Sequence, residues 1–270
     1  RRSYVNSLTS KIPASNLLLQ HQLISWTKTP GGYVCKVKNL QNGTLLEITA
    51  QVLVVGTGRF GPLTLKVPKV YRRIEYGVRV QFTEKINDIL MTADSKVVSV
   101  PDDVHTAPLL DPKYIRLTPW GEIRTFCWCK RGEVVLTNHL GIQTYSGRSD
   151  IAPTDYNNFG FNIRIKDASI NGDTDMFEFL TSIEPFTVKT VSDVGERYGA
   201  ILGPIIEAAL NDYLEAFPGL KQAKDIKFVG PTVEGVGEYP DINNISLKLP
   251  EEEIYCIGDC SGIFRGIIPS

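Results

Sequence analysis

The sequence predicts an α/β protein rich in strands, and three observations carry that prediction. Two apolar runs near opposite ends of the chain, Val52-Leu53-Val54-Val55 and Ile254-Tyr255-Cys256-Ile257, each stop at a glycine turn. Most segments between them alternate apolar and polar residues with the period of two that a half-buried strand requires. One stretch, about 200–216, instead repeats its apolar residues at helical spacing.

Taken in order, residues 14–55 read as a small β-meander feeding a buried strand. Leu17-Leu18-Leu19 is a short apolar run, and Tyr33-Val34-Cys35-Lys36-Val37-Lys38 alternates. Asn42-Gly43 is a hairpin turn signal because both residues tolerate positive φ, so Leu46-Glu47-Ile48-Thr49 should pair back. The run at 52–55 has the continuous β-branched character of a strand covered on both faces and ends at Gly56-Thr57-Gly58.

The middle is strand-like. Residues 74–82 alternate cleanly, 122–137 read as a second hairpin turning at Lys130-Arg131-Gly132, and 158–165 as a further strand. A turn at Asn171-Gly172-Asp173 precedes a short helix over 174–182, and Ser192 is positioned to cap a helix beginning near Glu196. In the helix at 200–216 the apolar stripe comprises Ile201, Ile205, Ile206, Ala209, Leu210, Tyr213 and Leu214; Pro218-Gly219 stops it.

Composition bounds the function. Among 270 residues, 29 Lys+Arg face 30 Asp+Glu, a net charge of −1, with 42% hydrophobic and 22% charged residues. That excludes wholesale disorder and argues against a nucleic-acid or anionic-membrane binder. No apolar run approaches the roughly 18–20 residues of a membrane span. Five cysteines, an odd number, fit a reducing and hence cytoplasmic setting better than a disulfide scaffold. The chain opens on Arg1-Arg2 and closes on Pro269-Ser270, which reads as part of a longer polypeptide.

The chemistry concentrates at the chain's last turn, Gly258-Asp259-Cys260-Ser261-Gly262-Ile263-Phe264-Arg265-Gly266. A strand entering such a turn suits a polyhydroxylated, phosphate-bearing cofactor. The Asp259 carboxylate accepts hydrogen bonds from hydroxyls, and glycines admit close backbone approach. A helix opening there would add its positive end. The structural alternative is a strand–turn–helix capped by Asp259.

Val52 through Arg59, following a meander, resembles the strand and Ala-Thr-Gly turn of FAD-binding flavoproteins related to glutathione reductase, with Gly56 in the Ala place. Three further segments are similar to the largely uncharacterised family of FAD-dependent dehydrogenases within that superfamily: Glu75-Tyr76-Gly77-Val78-Arg79-Val80, Arg124-Thr125-Phe126-Cys127-Trp128-Cys129 with Gly132-Glu133-Val134-Val135, and Tyr145-Ser146-Gly147-Arg148. The chain departs from the family pattern at Trp128, at Lys130-Arg131, at Asp259 and at Phe264-Arg265.

The resemblance implies a partial FAD-binding three-layer domain from 1–62 and 251–270, with a β-rich α+β substrate or cap domain inserted at 63–250. It implies an FAD-dependent oxidoreductase of the dehydrogenase type acting on a small-molecule substrate, with NAD(P)H as a candidate electron donor. Gly56, Thr57, Gly58, Gly258, Asp259, Gly262 and Gly266 are the implied cofactor-binding residues, and Cys127 is the candidate near the substrate face. The dinucleotide turn of such proteins is missing from the chain: Gly56-Thr57-Gly58-Arg59-Phe60-Gly61 matches its letters but is followed by Pro62. The competing reading, favoured by Phe264-Arg265, is a flavoprotein-like structural or binding subunit that has lost the cofactor.

On a regular strand Cys127 and Cys129 would share a face with Cα atoms about 6.6 Å apart, open either to a redox role or to plain core packing. Arg79, Arg124 and Arg148 are candidates for binding a carboxylate or phosphate. His21, His105 and His139 are scattered, so no metal site is expected.

Overall fold

The computed structural model describes residues 2–83, 114–171 and 175–263. The expected turn at Gly172-Asp173, His105 and Gly266 lie outside them. In chain order the described strands are β1 (His21–Thr29), β2 (Gly32–Asn39), β3 (Leu45–Ala50), β4 (Leu53–Val55), β5 (Lys69–Phe82), β6 (Ile115–Thr118), β7 (Gly121–Cys129), β8 (Glu133–His139), β9 (Ile142–Arg148), β10 (Asn157–Ile165), β11 (Phe186–Val188), β12 (Lys227–Pro240) and β13 (Ile254–Cys256). The helices are α1 (Arg2–Thr9), α2 (Gly61–Thr64), α3 (Met176–Ser182), α4 (Val191–Arg197), α5 (Gly199–Ala216) and α6 (Pro218–Lys221). The result is a mixed α/β protein, mostly strands. No described helix is long and apolar enough to cross a membrane.

Two compact units form, one from the chain up to Val55 with Ile242–Ile257, the other from Gly56–Asp241 and the chain from Gly258 onward. In the first, β1, β2 and β3 make an antiparallel sheet in that order. The Asn42-Gly43 turn joins β2 to β3 as expected: Gly43 takes φ +76°, and the Asn42 carboxamide accepts from the Thr44 amide at 3.0 Å. Tyr33, Cys35 and Val37 bury alternate positions of β2. The Tyr33 hydroxyl donates to Glu252 Oε2 at 2.7 Å and accepts from the Glu253 amide at 2.8 Å, tying β2 to the returning chain.

β4 pairs in parallel with β13, Leu53 opposite Ile254 and Val55 opposite Cys256. The expectation that 52–55 is covered on both faces is corrected here. Val55 is buried, but Val54 is 62% exposed, because the strand is three residues long and has one partner. Leu17-Leu18-Leu19 forms no strand; Leu18 and Leu19 are exposed after a 3-10 turn at Ala14–Asn16.

The second unit is built on a six-stranded antiparallel sheet ordered β11-β12-β5-β10-β7-β6. Its alternation resolves into two faces. Ile74, Tyr76, Val78, Val80 and Phe82 of β5 and Phe159, Phe161, Ile163 and Ile165 of β10 are fully buried in a core with Leu202, Ile206, Ala209, Leu210 and Tyr213 of α5. Burying each such side chain contributes roughly 1.5–3 kcal/mol. Ile201, expected on the same stripe, is exposed. The two shorter helices expected, near 174–182 and 196, match in type and differ in their caps, whereas α1, α2 and α6 were not expected. Asp175 caps α3 by accepting from the Phe177 and Glu178 amides, and Thr190 rather than Ser192 caps α4, which starts earlier than expected.

The expected hairpin at 122–137 is also corrected. The chain does turn at 130–132, but β7 pairs with β10 and β6, whereas β8 pairs with β9. A turn signal locates a reversal without naming the partner strand.

Candidate functional site

Within the second unit the two glycine turns lie together. The Thr57 hydroxyl approaches Cys260 Sγ at 3.3 Å, across 203 positions of sequence. After Gly58 the chain enters the one-turn helix α2, where Pro62 occupies a first-turn position that needs no donor. Arg59 fixes this turn to β12 by donating to the Val233 carbonyl at 2.7 Å and pairing with Glu234 at 2.9 Å.

The second turn is a 3-10 segment, Gly258–Ser261, closed by Ser261 Oγ donating to the Gly258 carbonyl at 2.7 Å. The Gly262 amide donates to the Asp259 carbonyl at 3.2 Å, and Arg73 donates to the Gly262 carbonyl. Cys260 and Ser261 are fully buried, while Gly258 and Asp259 are partly exposed.

The glycines differ in what surrounds them. Gly58 has φ +74° and open space where a side chain would project, and Gly56 and Thr57 beside it are exposed. Gly262 has φ +71°, but a Cβ there would meet the Tyr239 ring at 2.5 Å and Arg72 Cδ at 2.8 Å. Among the described residues, the first turn thus leaves its backbone uncovered at Gly58. The glycine at 262 instead admits the protein's own aromatic ring.

On the six-stranded sheet, the face away from the helical core is polar and largely buried. Glu75, fully buried, is 2.9 Å from Arg164 Nε and 3.8 Å from Arg73 Nε; Arg164 reaches Glu122 at 3.4 Å, and Glu122 reaches Arg124 at 3.6 Å. Three arginines and two carboxylates thus run across β5, β10 and β7. Among the sequence candidates, Arg79 and Arg124 belong to this face. Arg148 forms an exposed pair with Asp150 at 2.9 Å, whose hydrogen bond raises the Arg148 pKa further. Glu75, Arg164 and Glu122 were not singled out from sequence as a charged group. The available signal was their place in the polar half of an alternation, which says which residues share a face but not that the face is covered.

Cys127 and Cys129 do not share a regular face. Between Phe126 and Cys129, β7 carries one residue more than β10, a bulge at which Cys127 takes φ +47°. The extra residue lets Trp128 stack on Phe159 in the core, ring centroids 4.1 Å apart. Cys127 is left exposed and Cys129 buried. His139 stacks on Phe60 at 5.5 Å, and the described residues hold no cluster of three His, Cys, Asp or Glu suited to a metal ion.

No family model and no curated protein matches this sequence. Several solved structures are similar to it. RebC-10x, solved native and with K252c bound, is 11% identical over 96% of this chain and 35% of its own, with a TM-score of 0.36. The halogenase PltM, in complex with ethyl mercury and mercury, is 10% identical over 89% of this chain and 36% of its own, TM-score 0.36. The flavin-dependent monooxygenase PieE, in complex with FAD and substrate, is 9% identical over 89% of this chain and 29% of its own, TM-score 0.28. The chain spans about a third of the length of these structures, and the likeness is a distant one.

Proposed function

We propose that the chain is part of an FAD-dependent oxidoreductase of the dehydrogenase type, with the flavin held by the 56–58 turn and the 258–266 turn. One observation carries the reading: two glycine turns from opposite ends of the sequence pack together, and no described residue covers the backbone at Gly58. Gly56, Thr57 and Gly58 are the residues for close backbone passage, and Asp259, with Gly258 beside it, accepts hydrogen bonds from the ribityl chain. Gly262 and Gly266 are the residues for amide contacts with the flavin or pyrophosphate. FAD, when bound, accepts a hydride equivalent from the substrate. Cys127, exposed on its bulge, is the candidate nearest a small-molecule substrate, and NAD(P)H is the candidate donor. In this reading 1–62 and 251–270 contribute a three-layer cofactor domain, 63–250 the inserted cap, and the protein works in the cytoplasm.

The test is the visible spectrum of the natively purified full-length protein. The two absorption bands of bound flavin are expected, with most of the flavin lost on Asp259→Ala. A protein that is colourless and remains so after addition of FAD would overturn the proposal in favour of a flavoprotein-like structural or binding subunit.

A further inference from the structure

Arg79 is 1% exposed, yet no described carboxylate forms an ion pair with it. Its partners are Asn158 Oδ1, reached by Nε at 3.1 Å and also by Nη2, the Cys127 carbonyl at 2.8 Å from Nη2, and Cys129 Sγ at 3.6 Å. Gly147 of β9 lies directly against the guanidinium. Burial pulls the Arg79 pKa down, and the neighbouring Cys129 and Cys127, with a smaller share from the Glu234 carboxylate, offset this in part. Its hydrogen-bond partners are neutral, so the compensation that burial of charge normally requires comes only in part, from the more distant Glu234 carboxylate.

A second observation points the same way. Asn158 is fully buried, and its Nδ2 has no hydrogen-bond partner among the described residues. Its orientation is settled, because Oδ1 faces Arg79, which has only donors to offer. Asn158 sits directly opposite Cys129 across β10 and β7. The niche around the Cys129 sulfur therefore holds a cation and an unused N–H donor, beside two acceptor oxygens that Arg79 already engages: Asn158 Oδ1 and the Cys127 carbonyl, which also accepts from the Cys129 thiol at 3.4 Å.

We propose that Cys129 is a site of oxidation by a small hydroperoxide, and that Arg79 and Asn158 receive the oxygen it gains. In the step, the Cys129 sulfur attacks one oxygen of hydrogen peroxide. The O–O bond breaks and an S–O bond forms; the other oxygen leaves as water with the thiol proton. Sulfur gives up two electrons and the peroxide accepts them, yielding a sulfenic acid. Arg79 stabilises the negative charge that develops during transfer, and the new oxygen supplies the acceptor that Asn158 Nδ2 lacks. Only a reagent as small as hydrogen peroxide reaches a residue 5% exposed. This inference is independent of the flavin reading.

The test compares Cys129 in the Cys127→Ser protein with Cys127 in the Cys129→Ser protein, which also prevents condensation of the two thiols. Each is exposed to hydrogen peroxide, quenched with catalase and unfolded in dimedone, and the Thr125–Lys130 peptide is sequenced by mass spectrometry. Exposure alone predicts that Cys127 reacts first. The proposal predicts the reverse, with Cys129 at least about tenfold faster, and a loss of at least about tenfold on adding Arg79→Met. Equal or slower labelling of Cys129, or a rate that Arg79→Met leaves unchanged in a folded protein, would overturn it. Should Arg79→Met fail to fold, the order of the two cysteines decides alone.

Discussion

At the scale of single residues, Gly58 and Gly262 share a left-handed backbone and differ in their surroundings, which separates conformational strain from packing. Gly58→Ala adds a methyl to open space, so it should cost only the left-handed penalty of about 1–2 kcal/mol. Gly262→Ala carries the same penalty and also drives a methyl into the Tyr239 ring and Arg72, for a total of roughly 3–5 kcal/mol. Urea denaturation of the two variants measures the difference, and equal losses would count against it. Flavin content should respond in the opposite order: Gly58→Ala lowers it in a protein that remains folded, since its methyl occupies the space proposed for the cofactor. Both turns were legible in sequence as glycines following apolar runs. The occupant of each glycine's missing side chain was not, because Tyr239 arrives from 23 positions away on another strand.

At the scale of elements, the first unit depends on a tie between β2 and the segment preceding β13. The Tyr33 hydroxyl holds the Glu252 carboxyl below the ordinary carboxylate range, with Lys28 at 3.3 Å assisting. A carboxyl depressed in the folded state contributes its stability in full above its unfolded pKa of about 4.3 and loses it as the pH falls through the lower folded value. The urea midpoint of this unit should therefore decline as the pH falls below about 5. Tyr33→Phe should lower stability by about 1–2 kcal/mol at neutral pH and flatten that decline, since the hydrogen bond that separates the folded and unfolded values is gone. A titration of unequal slope reversed in sign would refute the assignment. Elements of this kind were read unevenly from sequence. The Asn42-Gly43 hairpin was legible because its turn and both strands are contiguous. The β7–β8 reversal was misread because the same local signal serves two strands that pair elsewhere, and the bulge at Cys127 was invisible because an extra residue appears only against the register of β10.

At the scale of the whole molecule, the six-stranded sheet draws β5, β10 and β12 together from residues 69–82, 157–165 and 227–240, and no local pattern specifies that order. What alternation does specify is that each strand has two unlike faces. Joining them in this order makes one face a continuous apolar layer under α5 and the other a row of paired charge in which Glu75 is fully buried and its partners are partly so. The row exists only as a product of the assembled sheet: Glu75, Arg164 and Glu122 come from three strands, and each is compensated by a residue on another. Glu75→Gln should therefore cost roughly 3 kcal/mol, since it leaves Arg164 dependent on Glu122 alone in a site where Glu75 is fully buried. Replacing both partners, Glu75→Met with Arg164→Met, should cost less than the sum of the two single changes, because the double variant removes the pair together and leaves only its weaker neighbours, Arg73 and Glu122, to lose a partner. Urea unfolding of the four proteins in the cycle measures this coupling. Strict additivity would mean that the row is a set of independent residues, each satisfied by its own strand, rather than a property of the sheet.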